Sequence, residues 1–151
     1  MTPNQRAVRN IRIIAIVQII AGLAIVGLFA FMYEKYHFTD KIIEVVMFWI
    51  VTIACVPAAF FSYYRFENAM KRIENKPIEE KLVAYRSAAI IRNLIVEAIS
   101  LLFAISFFLT GYNMLQLEAI LGAFIMVLFF PSDFRISREL RIDIHELEPP
   151  Y

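Results

Sequence analysis

Residues Ile90–Leu109, IIRNLIVEAISLLFAISFFL, decide how the chain folds. The stretch is long enough and apolar enough to cross a bilayer, since about 20 residues at about 1.5 Å each span the hydrocarbon. It also carries a carboxylate, Glu97, about seven residues from one end and about twelve from the other. A charge at that depth costs about 3 kcal/mol on insertion scales. A partner, a proton or water must compensate it.

Composition extends this reading to the rest of the chain. Of 151 residues, 60% are apolar and 19% charged, with a mean hydropathy of +0.64. A soluble domain averages about 45–50% apolar and about 25% charged. The surplus falls in four blocks: Ile11–Met32, Ile42–Tyr64, Ala88–Leu109 and Met114–Phe130. Four such spans predict an all-α integral membrane four-helix bundle occupying 1–130 as one domain. Residues 131–151 read as a cytoplasmic amphipathic segment and a disordered tail. Basic residues precede the first block, but its apolar run exceeds a signal-peptide core and no small-residue cleavage pattern follows. A retained membrane helix is expected there.

Within the first span, Ala15, Gln18 and Gly22 form one stripe, as expected of a face turned to other helices. Glu44 lies one turn into the second span, and Pro57 should kink that helix or be absorbed by its neighbours. No helix breaker follows until Asn75-Lys76-Pro77, where Pro77 reads as a first-turn residue. Helices 2 and 3 should therefore form a long hairpin with a charged tip outside the membrane. Gly111-Tyr112-Asn113 reads as the tight turn into the fourth span. Ser132 reads as the N-cap of a short amphipathic helix, DFRISRELRI, with Ile136 and Leu140 on one side. An alternating, strand-like reading of Leu140, Ile142 and Ile144 has no sheet to join.

Lys and Arg set the orientation. Thirteen of them lie in the N-terminal segment, the hairpin tip and the C-terminal segment, against Lys35 and Lys41 on the other side. Both termini and the hairpin tip are expected in the cytoplasm, in a bacterial inner membrane. Acidic residues interleave with the basic ones at the tip, so nucleic-acid binding is not expected.

Asn93, Glu97, Ser100 and Ala104 share one face of the third helix, with Arg86 further along it. Arg92 sits roughly 140° around the helix from Glu97, and is expected to snorkel to the headgroups. Gln18 reaches a similar depth, so a Gln18–Glu97 hydrogen bond is expected. Glu97, Gln18, Asn93 and Ser100 are thus the candidate proton or cation site. The plainer reading is a protonated Glu97 that holds the bundle in register. A second polar group, Glu44, Glu118, Lys41 and His37, falls near the opposite surface, where solvated interface charges are the plainer account. One cysteine, Cys55, allows no disulfide within the chain and reads as a buried apolar residue. No metal set, cofactor motif, catalytic grouping or phosphate loop is visible, so an enzyme is not expected.

The segment RNLIVEAISLLFAISFFL (92–109) resembles the carboxylate-bearing helix of rotor-ring subunit c of ATP synthases and vacuolar-type ATPases, with Glu97 as the matching ion-binding residue. The glycine-rich partner helix of that family has no counterpart here. Over more of the chain, YRSAAIIRNLIVEA (85–98) and FFPSDFRISRELRI (129–142) resemble a set of small four-span bacterial membrane proteins common in Bacteroidota. That resemblance implies a fold and not an activity. Two functions follow as expectations. One is a non-enzymatic accessory or assembly subunit, acting by helix association with the lipid bilayer, its own copies or another membrane protein. The other is a proton- or cation-coupled transporter or rotor-like oligomer using Glu97.

Overall fold

The computed structural model describes residues 3–35 and 41–143, and it is helical throughout. Five helices follow in order: α1 (Pro3–Lys35), α2 (Lys41–Arg72), α3 (Ile78–Thr110), α4 (Asn113–Leu128) and α5 (Asp133–Leu140). The first three are long and apolar enough to cross a membrane. At 16 residues, α4 is about 24 Å long. It reaches full span length only together with α5, from which it is bent by 80°.

The helix ends follow from local chemistry. Pro77 sits at the N-cap of α3, one residue earlier than the sequence predicts, with φ −55 and ψ 152. Its carbonyl accepts the first helical bond, from the Lys81 N–H at 3.0 Å. A missing N–H costs nothing at that position. Gly111 ends α3 in the left-handed region, φ 74. A side chain there would be strained and would also overlap the Tyr33 ring. Ser132 caps α5 as expected, its hydroxyl accepting from the Arg135 N–H at 3.2 Å. The α2 helix continues through Pro57 without a break.

Each helix turns one seam inward. On α3 the buried positions Leu82, Tyr85, Ala89, Asn93, Val96, Ser100, Phe103, Phe107 and Thr110 recur every three or four residues. On α1 the seam is Val8, Ile11, Ala15, Gly22 and Val26, which contains the small residues Ala15 and Gly22. The third helix is the hub: it packs against α1, α2 and α4, and α1 also packs against α4. By contrast, α2 packs principally on α3. In keeping with this, 39% of the most apolar window of α3 is buried, against 17% for α1 and for α2.

Glycine sets the closest approaches. Gly122 of α4 lies against Ser100, whose hydroxyl occupies the space a Cβ would need. Gly22 of α1 lies against the tip of Met126 in the same way. The small α5 closes one end. Ile136 and Leu140 are buried with Val8, Ile11, Phe66, Leu82, Tyr85 and Ala89, a cluster drawn from all three long helices.

Candidate functional site

The three residues expected to gather around Glu97 all lie on the inward side of their helices. Asn93 and Ser100 are buried, Gln18 is half-buried, and so is Glu97 itself. The expected Gln18–Glu97 hydrogen bond is replaced by another. The Asn93 amide donates to Gln18 Oε1 at 3.3 Å. Asn93 lies one turn before Glu97 and meets α1 first. The Ser100 hydroxyl is spent on its own helix, donating to the Val96 carbonyl at 3.0 Å, a common fate of serine within a helix. No described side chain bonds or pairs with Glu97. The Asn93 Oδ1 atom is buried with no hydrogen-bond partner, which leaves one open acceptor a turn away from the carboxyl group.

Of the second expected group, the structure describes the side chains of Glu44 and Glu118. Glu44 in the first turn of α2 and Glu118 on α4 are both half-buried. Neither forms an ion pair or hydrogen bond among the described residues. His37 and the Lys41 side chain fall outside what the structure describes, as does the tail 144–151, including Ile144 of the strand-like alternative. Leu140 ends α5, which replaces that alternative by a helix. Cys55 is buried, as expected.

The strongest polar assembly is one the sequence does not announce. Arg92, expected among headgroups, is only 3% exposed. Its Nη1 lies 3.6 Å from Glu139 Oε1 of α5. Its guanidinium carbon lies 4.0 Å from the centre of the Phe66 ring and 4.3 Å from that of Phe129, within cation–π range. Two of its donors, Nε and Nη2, are buried without hydrogen-bond partners. Glu139 is fully engaged: Arg135 Nε donates to Oε1 at 2.9 Å, and the Tyr85 hydroxyl donates to Oε2 at 2.8 Å. Tyr85 lies before the apolar run that starts at Ala88. Burial, and then the neighbouring Glu139 carboxylate, push its phenol well above the ordinary value, so it stays a donor.

The physical reason for the correction is the fold-back of α5. Arg12 Nε donates to the Pro131 carbonyl at 3.2 Å, and the Arg12 guanidinium pairs with Asp133. These contacts tie the α4–α5 bend to α1 and bring Glu139 over Arg92. The fold-back thus covers the Arg92 guanidinium with a carboxylate and two rings, and it is held there instead of reaching the headgroups.

The chain matches no protein-family model, no curated protein and no solved structure. Two features stand out: a polar stripe among apolar helices, Gln18–Asn93–Glu97, and a buried arginine cluster where α5 meets α2 and α3.

Proposed function

We propose that the chain is a four-span integral membrane protein of a bacterial cytoplasmic membrane, and that it acts by helix association as an accessory or assembly subunit rather than by catalysis. The termini and the α2–α3 turn face the cytoplasm. The observation that carries this reading is the state of α2. It packs principally on α3, and its other faces present Trp49, Ile53, Phe60 and Phe61, each more than half exposed. Beside them an apolar groove of about 310 Å³ separates α2 from α3, floored by Ala54, Ala58 and Ala98. Small residues at that place let another helix approach closely, the usual basis of association where lipid removes the hydrophobic drive. The basic asymmetry, thirteen against two, supports the orientation.

The test is the size of the purified complex in detergent. Ala54→Leu with Ala58→Leu fills the groove and is expected to reduce the complex towards the single chain without unfolding it. A complex of unchanged size would overturn association through this face.

A second reading is favoured by the Asn93 acceptor. A protonated Glu97, or a cation held by its carboxylate, would satisfy Asn93 Oδ1, which is otherwise buried unpaired. That is the arrangement a proton- or cation-coupled oligomer needs. On this reading carbodiimide modifies Glu97 in a pH-dependent way and Glu97→Gln abolishes activity. On the first, Glu97→Gln leaves the complex intact and functional.

A further inference from the structure

Between α2 and α5 lies a pocket of about 300 Å³, of the size that takes a small ligand. Arg92 and Phe129 form part of its wall. Its ionisable lining comprises five cations and three carboxylates. Lys71 is matched by Glu67 at 3.0 Å, and Arg141 by Glu74. Arg92 and Arg135 share the single carboxylate of Glu139. Arg138 has no acidic partner among the described residues, its guanidinium carbon lying 5.9 Å from the centre of the Phe134 ring. Among the described residues the lining therefore holds two positive charges in excess, and its innermost arginine keeps two buried donors unpaired.

We infer that this pocket binds a phosphate group, as the headgroup of an anionic phospholipid or as a soluble phosphate ester. Arginine suits the task because its planar fork matches phosphate oxygens in pairs. The setting favours the lipid. The face of α2 that borders the pocket runs from exposed Phe60 through Tyr63 and Tyr64 to Glu67 and Lys71, with Glu74 in the turn just beyond the helix. That is the order of an acyl region, an aromatic interface and a headgroup layer. Basic pockets at the cytoplasmic ends of membrane helices take anionic headgroups for the same reason. The lipid source rests on the membrane reading above; the phosphate chemistry does not.

The experiment uses the full chain in neutral-detergent micelles, titrated separately with phosphatidylglycerol and with inorganic phosphate. Thermal unfolding and native mass spectrometry are the readouts. Phosphatidylglycerol is expected to raise the unfolding midpoint saturably and to remain bound in the gas phase. Arg138→Gln, at an exposed position outside the buried clusters, is expected to weaken binding about tenfold. Arg86→Gln, equally exposed but outside the pocket, leaves it unchanged. Saturable stabilisation by inorganic phosphate alone, lost with Arg138→Gln, also supports the site and assigns it a soluble ligand. Failure of both ligands to saturate, or equal weakening by Arg86→Gln, overturns it. A chain that stays folded and monomeric without detergent would instead overturn the membrane reading, and inorganic phosphate would then decide the pocket by itself.

Discussion

Arg92 and Glu139 are worth more as a pair than either is alone. A buried ion pair contributes little net stability over apolar residues of equal size, but removing one partner leaves a charge with no compensation. Glu139→Gln is therefore expected to cost about 3 kcal/mol, measured by unfolding in mixed micelles. Adding Arg92→Met should recover most of that loss. Tyr85→Phe removes one hydrogen bond to a carboxylate and should cost about 1.5 kcal/mol. Its pH dependence has a definite sign. The folded state holds the phenolic proton more tightly than the unfolded chain. The contribution is whole below the ordinary tyrosine value of about 10 and is lost as pH rises above it. Stability of Tyr85→Phe should fall less steeply over that alkaline range than that of the parent chain. None of this cluster was legible in the sequence. Arg92 has no acid within reach on its own helix, and Glu139 reads as one more surface charge in SRELRI. Only the bend after α4 brings them together. Glu97, by contrast, announces itself by depth, and Asn93, Gln18 and Ser100 by spacing. What spacing could not settle was which amide reaches the neighbouring helix first.

The helices were more readable than their pairings. Apolar length located α1 to α3, and the caps at Gly111 and Ser132 fell where left-handed geometry and a side-chain acceptor are needed. The fourth apolar block ends at Phe130, two residues past the last residue of α4, because Phe129 and Phe130 continue the apolar run beyond the last helical turn. Phe129 instead leaves the helix and packs on Arg92. The α3–α4 contact carries a sharp prediction. Gly122→Ala places a methyl group where the Ser100 hydroxyl sits, and should destabilise the fold by about 2 kcal/mol through forced separation. Combining it with Ser100→Ala should restore part of the loss. Gly27, on α1, has open space around its Cβ position. Gly27→Ala is expected to be neutral or to stabilise by up to about 1 kcal/mol, since alanine favours the helix. Equal effects at the two glycines would show that helix propensity, and not close packing, governs both.

Taken as a whole, the molecule is a hub and spokes: α3 carries the packing while α1, α2 and α4 share it unequally. That arrangement leaves broad apolar faces on α1 and α2, a surface that water would not tolerate at this extent and that lipid accepts. Orientation is open to a direct check. In a Cys55→Ala background, Lys76→Cys in the α2–α3 turn should react with a membrane-impermeant thiol reagent only from the cytoplasmic side. Asn113→Cys, at the start of α4, should react only from the other. Labelling of both from one side would refute the four-span topology.

The order of the chain gives the fold-back of α5 one more consequence. Glu139 is synthesised after every long helix, so Arg92 enters its environment before its counter-charge exists. In a polypeptide that ends before α5, Arg92 has neither the Glu139 carboxylate nor the cover of Ile136 and Leu140. Removing α5 withdraws together the counter-charge of Arg92, the acceptor of Tyr85 and the apolar cover of the end cluster, so a chain truncated before it should unfold more readily than the parent.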